Sequence, residues 1–372
     1  MIDCDKFLSF LIKNQINFFT GVPDSLFKYL CNKLEKSYSS KNFITANEGG
    51  AIGLGIGYNL ATKKVPLIYL QNSGLGNTIN PIISMANNKV YSIPLFLLIG
   101  WRGEISNNNK QIKDEPQHKK QGLITEKMLK VMGIKYKILS KNSNYKQNII
   151  SLKKHALKKS EPVALLVRKG VFNSKTNFKK DTSSFLSRED ALKEIINSIG
   201  KKSIKVSTTG MLSRELNEIN IIQKSSNNTF MCVGSMGHAI SIATGLALKK
   251  NKKKIFCFDG DGSFVMHLGS SILSAKLNNL VHIVFNNRAH DSVGGQKTTS
   301  SDLPLFKIAK SLGYKICFTA SSKQDIKKIF SKIKKLKKST FVEIVCKKGF
   351  RKNLTRPKKK MILLKNEFAE NI

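Results

Sequence analysis

The chain has 372 residues, of which 41% are hydrophobic and 24% charged. That apolar content excludes a chain disordered throughout, which could not offset its ordering entropy, and the length suits two to three domains. No apolar run approaches the roughly 20 residues needed to cross a bilayer, so no membrane partner is expected.

The formal net charge of +40 raises nucleic acid as a partner. Only seven of the 64 basic residues are Arg, the side chain best suited to bidentate phosphate and base contacts. The lysines are spread along the whole chain, and Asn and Ile are also abundant. This pattern fits an AT-rich coding bias, so no nucleic acid is expected and that partner stays a remote alternative. The start, MIDCDKFLSF, carries acids and lacks a basic region before an apolar stretch, so no signal peptide is expected. Six cysteines are scattered without CxxC spacing, which argues against a zinc site or a disulfide scaffold and for a reducing cytoplasm.

Taken along the chain, the first half alternates strands and helices. A strand over 16–19 runs into the turn Gly21-Val22-Pro23-Asp24-Ser25. A helix carrying Leu26, Leu30 and Leu34 follows, with Asp24 or Ser25 placed to cap it. A short strand at 43–46 precedes EGGAIGLGIGYNLAT, a small-residue helix starting at Glu48. Buried strands are expected over 65–70, 93–99 and 162–167. The polar segment 170–187 has no periodicity and reads as a linker. In the second half, strands are expected over 204–207, 255–258, 281–285 and 341–346, with helices over 239–248 and 268–277. Strands alternating with helices imply parallel sheets covered on both faces, hence two α/β domains. The last 20 residues, with Lys358-Lys359-Lys360 and an apolar MILL, read as an extension packed on the body.

The chemistry concentrates in KIFCFDGDGSFVMHLGSSILSAKLNNLVHIVFNNRAHDS. An apolar strand ends in Gly260-Asp261-Gly262-Ser263, and the next ends in Asn286-Asn287. Glycines allow close approach to a phosphate, and a helix start after a strand is an anion site. Asp261 can give a carboxylate oxygen to Mg²⁺, and Asn287 an amide oxygen. Both lie at the carboxyl ends of strands, where open α/β sheets bind ligands.

This segment, with 23 residues between Gly262 and Asn286, resembles the GDG…NN signature of thiamine-diphosphate-dependent enzymes. Further segments, GVPDS, QNSGLGN, WRGE, DEPQH, VGSMGHA, HDSVGGQKT and LTRPKKK, resemble the phosphonopyruvate decarboxylase family over nearly the whole chain. The sulfopyruvate decarboxylases are similar to it, and other 2-oxo acid decarboxylases remain an alternative. The resemblance implies two doubly wound parallel-sheet domains with no central third domain. These are a pyrimidine-binding domain over 1–169, a linker over 170–187, a diphosphate-binding domain over 188–350 and an extension over 351–372.

It also implies thiamine diphosphate and Mg²⁺ as cofactors. Asp261, Asn287 and the backbone oxygen of Ala289 would hold the metal. Thr209, Gly210, Gly234, Ser235, Gly260, Gly262, Ser263 and Asn287 would line the cofactor, and Met236 would wedge it into a bent shape. Glu48, as a carboxylic acid, would hydrogen-bond the aminopyrimidine, while the thiazolium serves as electron sink for loss of CO₂. Asp24 and His118 would move protons during protonation and product release. Arg102, Lys297 and Arg356 are candidates for binding a phosphonate. The implied reaction is decarboxylation of a small anionic 2-oxo acid, 3-phosphonopyruvate, to phosphonoacetaldehyde and CO₂ in phosphonate biosynthesis. Family members share their sites between subunits, so self-association as a dimer or higher is implied. One departure stands out. The acid that pyruvate decarboxylases carry shortly after NN is replaced here around Ser292-Val293.

Overall fold

A computed structural model describes residues 1–106, 108, 110–173 and 181–372. The chain divides into two compact units, Met1–Phe178 and Lys179–Ile372.

The first unit is built on six parallel strands. These are β2 (Phe19–Gly21), β3 (Asn42–Ile44), β4 (Leu67–Gln71), β5 (Phe96–Gly100), β6 (Lys135–Leu139) and β7 (Val163–Val167), in the order β3-β2-β4-β5-β7-β6. Its core shows why the sheet is parallel. Leu67, Tyr69, Phe96, Leu98, Val163 and Leu165 face one apolar cluster. The alternating residues Ile68, Leu70, Leu97, Ile99, Ala164 and Leu166 face another. Both faces are therefore covered by helices, and each central strand reads as an unbroken apolar run. Two short strands, β1 (Ile2–Asp3) and β8 (Phe172–Asn173), pair in parallel beside this sheet.

The second unit repeats the plan. Its strands are β9 (Ile204–Ser207), β10 (Thr229–Met231), β11 (Ile255–Gly260), β12 (Leu280–Asn286), β13 (Ile316–Ala320) and β14 (Thr340–Val345). They lie in the order β10-β9-β11-β12-β14-β13, again all parallel. The strand order matches that of the first unit position for position. In each, the chain reverses direction across the sheet between the second and third strands in space. Those are β2 and β4 in one unit and β9 and β11 in the other, and such switch points are where open sheets take ligands.

Several elements depart from the sequence expectations. The strand expected at 16–19 begins only at Phe19, because Gln15 turns the chain in the left-handed region after the helix Cys4–Lys13. The turn after it is a 3₁₀ segment, Ser25–Phe27, with Asp24 at its N-cap position, and the helix proper is Lys28–Ser37. The helix expected over 268–277 is broken into a 3₁₀ turn, Leu268–Ser270, and one α-turn, Ser271–Ser274. Of the segment 170–187, residues 172–173 form β8, residues 174–180 lie outside the described residues, and Ser187 bridges to Lys347. The tail ends in the helix Met361–Asn371, which buries Phe368 against the apolar cluster under β9 and β11. Among the described residues, no helix is long and apolar enough to cross a membrane.

Strand β8 matters to the first unit's core. Phe172 is 4% exposed and meets Phe7 and Phe27 edge-on, with ring centroids 4.9 and 6.0 Å away. Phe172→Ala is expected to destabilise this unit by about 3–5 kcal/mol. Urea unfolding followed by the fluorescence of Trp101, the chain's single and buried tryptophan, measures it.

Candidate active site

In the first unit, the buried carboxyls of Glu48 and Asp24 lie just past the carboxyl ends of strands. Glu48 is the first residue of the helix Glu48–Thr62, and Asn47 caps that helix by accepting the amide of Gly50 at 2.8 Å. The Glu48 carboxyl is 6% exposed and accepts from the Asn77 side-chain amide at 2.8 Å. Gly74 lies so close that a Cβ there would sit 2.2 Å from a Glu48 carboxyl oxygen. The 3₁₀ segment Asn72–Thr78 thus forms a cradle around this side chain. Burial raises the Glu48 pKa, with the Asn77 bond pulling the other way.

Asp24 follows β2 and is fully buried. Its Oδ2 has no hydrogen-bond partner, and its Oδ1 accepts from the Ser25 hydroxyl at 3.3 Å. A Cβ on Gly100, at the end of β5, would sit 1.7 Å from the Asp24 carboxyl, so only glycine fits beside it. Burial pushes the Asp24 pKa up to about 6, against the nearby positive charge of Arg102. Arg102 reaches Ser25 with Nη1 at 3.2 Å and grips Asp114 with Nε and Nη2 at 2.8 and 2.6 Å. The phosphonate candidate Arg102 is therefore already ion-paired within its own unit, and Asp114, from DEPQH, is the partner that spacing alone did not reveal. His118 is 8% exposed in the first turn of the helix Pro116–Val131. Its carbonyl lies where a Cβ on Gly103 would come within 2.1 Å, which ties that turn to the WRGE loop.

In the second unit the two acids of DGDG separate by direction. Asp259 turns inward, accepting from Gly260 N at 2.9 Å and facing buried His282 at 3.4 Å. Asp261 begins the short helix Asp261–Met266 and is 2% exposed. Its Oδ2 accepts from the hydroxyls of Thr298 at 2.6 Å and Ser300 at 3.3 Å. Burial pushes its pKa up to about 6, with those hydroxyls pulling it down. The two asparagines divide in the same way. Asn286 donates inward to Glu343 at 2.7 Å, whereas Asn287 donates to Asp291 at 2.7 Å and accepts from Ala289 N at 3.2 Å. Ala289 itself bridges to Lys297, an exposed side chain.

The glycine-rich loops converge on Ser263. Its Oγ accepts from Gly237 N at 3.0 Å and meets the Thr208 hydroxyl at 2.9 Å. This brings together the loops holding Thr209 and Gly210, Gly234 to Gly237, and Gly260 to Ser263. Gly210 approaches the Ser292 hydroxyl, where a Cβ would be 2.7 Å away, and Gly262 would meet His290 at 2.9 Å. Ser235 and Gly237 both take positive φ, 51° and 89°, leaving Met236 half-buried between them. Arg356 is exposed in the tail.

The residues that sequence reasoning missed are the partners: Asn77, Gly74, Asp114, Thr298, Ser300, Asp291 and Arg188. Most sat in quoted motifs, but nothing in a linear spacing says which carboxylate each would meet.

Asp24 carries a pH signature. Its folded pKa lies above the unfolded value, so between about pH 4 and 6 the folded state holds the extra proton. Stability from this group is therefore lost as pH rises through about 6. Asp24→Asn is expected to be more stable than the unaltered chain at pH 8, by up to about 3 kcal/mol, with the gain vanishing near pH 4. Melting temperatures across that range check it.

Comparison with known proteins joins the two halves. Residues 5–123 match the thiamine pyrophosphate enzyme, N-terminal TPP binding domain, and residues 208–344 match the corresponding C-terminal TPP binding domain. The chain is 29% identical over 357 residues to phosphonopyruvate decarboxylase of Streptomyces viridochromogenes, covering 91% of this chain and 87% of that one. It is 28% identical to sulfopyruvate decarboxylase of Methanosarcina acetivorans, covering 83% and 84%. It is 35% identical to the sulfopyruvate decarboxylase subunit alpha of Methanocaldococcus jannaschii, covering 41% of this chain and 85% of that subunit. The chain belongs to the thiamine pyrophosphate enzymes, within the decarboxylase family that includes phosphonopyruvate decarboxylase, and is by that membership a carboxy-lyase.

Proposed function

We propose that the protein decarboxylates 3-phosphonopyruvate to phosphonoacetaldehyde and CO₂, with thiamine diphosphate and Mg²⁺, as a step of phosphonate biosynthesis. The observation that carries this reading is the likeness to the Streptomyces phosphonopyruvate decarboxylase over 91% of this chain, together with a buried Glu48 of raised pKa in one unit and an all-oxygen donor set in the other. Sulfopyruvate is the alternative substrate, supported by the likeness to the Methanosarcina enzyme.

The residues fit these cofactors. Among the described residues no ion pair involves Asp261; its buried carboxylate accepts from hydroxyls and backbone amides, and a hard divalent cation would relieve its desolvation. Asp261, the Asn287 amide oxygen and the Ala289 carbonyl would be its ligands. The backbone of Thr209, Gly210, Gly234, Ser235, Gly260 and Gly262 and the Ser263 hydroxyl would hold the diphosphate, with Met236 under the cofactor. When bound, the cofactor supplies the electron sink for decarboxylation. Burial raises the Glu48 pKa and so favours the neutral acid, the form that can donate a hydrogen bond to the pyrimidine ring. Asp24, poised near pH 6, holds or releases a proton at its Oδ2, and His118 assists product release. Lys297 and Arg356, both exposed, carry the positive charge that suits an anionic headgroup. Self-association as a dimer or higher, a cytoplasmic setting and the absence of a nucleic-acid role complete the reading.

Glu48→Gln is expected to lower kcat/KM for decarboxylation by about 100-fold or more, with little change in melting temperature. Full activity in that variant would remove Glu48 from the chemistry. Product analysis with both substrates, side by side, tests the assignment: a higher kcat/KM on sulfopyruvate would transfer it to the alternative.

A further inference from the structure

Behind Asn287 stands a largely buried ionic network. Arg188 opens the helix Arg188–Ile199 and is 6% exposed. Its Nε and Nη2 bond both oxygens of buried Glu215 at 2.7 and 2.9 Å, and its Nη1 bonds Asp291 Oδ2 at 2.8 Å. That same Asp291 oxygen accepts from Asn287 Nδ2 at 2.7 Å, and the other accepts from Gly349 N at 3.0 Å. Asp291 is thus fixed on three sides, with a side chain only 7% exposed.

We propose that Asp291, held by Arg188, is the positioning residue that selects which end of the Asn287 amide faces the metal. The inference rests on the metal-site reading above. An ionised carboxylate only accepts hydrogen bonds, so only the NH₂ end of Asn287 can face it. The amide oxygen is thereby turned the other way, where it accepts from Ala289 N at 3.2 Å, beside the carbonyl named as a further ligand. Without this constraint the amide can rotate by half a turn and present hydrogens to a cation.

Asp291→Asn tests this with little change of shape, because an amide at 291 has one oxygen in place of two and accepts more weakly than a carboxylate, so the hold on the NH₂ end of Asn287 is loosened. Calorimetric titration of Mg²⁺ into the whole protein with saturating thiamine diphosphate is expected to show about 10- to 100-fold weaker binding in the variant. The melting temperature without ligands should be nearly unchanged, and turnover should recover as Mg²⁺ is raised. A merely structural role would not shift the Mg²⁺ midpoint in this way. Equal Mg²⁺ affinity in the folded variant would overturn the inference and leave the proposed function standing. An unaltered chain that binds neither Mg²⁺ nor thiamine diphosphate would overturn both. Should Asp291→Asn not fold, Arg188→Lys keeps the cation and loses the paired fork. It is then expected to weaken Mg²⁺ about three- to ten-fold, and an unshifted affinity would count against the inference.

Discussion

A parallel sheet covered on both faces offers few places where polar chemistry can meet a ligand. The faces are sealed by apolar clusters, and the strand edges pair or lie at the rim. What remains are the carboxyl ends of the strands and the helix starts that follow them. Several candidate residues of this protein sit at such ends. Asp24 follows β2, Glu48 follows β3 and Arg102 follows β5. In the second unit, Asp261 follows β11 and Asn287 follows β12, while the Thr208 loop follows β9.

The same enclosure sets the electrostatics. Glu48, Asp24 and Asp261 are all nearly or fully buried, and in each case burial is the largest influence, raising the pKa. Their surroundings then differentiate them. Glu48 has one amide donor and a glycine-lined cradle, which suits a group that keeps its proton. Asp24 has an oxygen without a partner and a cation nearby. Asp261 has two hydroxyl donors and no counter-charge, which suits a cation ligand. Three carboxyls with one kind of perturbation thus differ through their second contacts.

Much of this was legible in the sequence. Central strands such as β9, β11 and β12 announced themselves because burial on both faces demands continuous apolar runs. In the two six-stranded sheets, the strands that escaped notice, β6, β10 and β13, are outermost members. Their side chains are only partly buried; β6 reads Lys-Tyr-Lys-Ile-Leu, so its hydrophobic signal is diluted. The site shows the same divide. Residues whose backbone must approach a ligand, Gly262 and Gly237, carry a local signature. Residues that act through a distant partner do not. Arg188 and Asp291 are 103 positions apart, and only the folded sheet brings the guanidinium to the carboxylate.

The rim strand β6 has a consequence of its own. Its outer edge carries unpaired amides and carbonyls, the template on which a foreign strand could add. Lys135 and Lys137 stand on it, so an incoming copy of the same segment would bring like charges face to face. In a chain this rich in lysine, such repulsion opposes ribbon-like aggregation at high concentration, and added salt would weaken that protection by screening it.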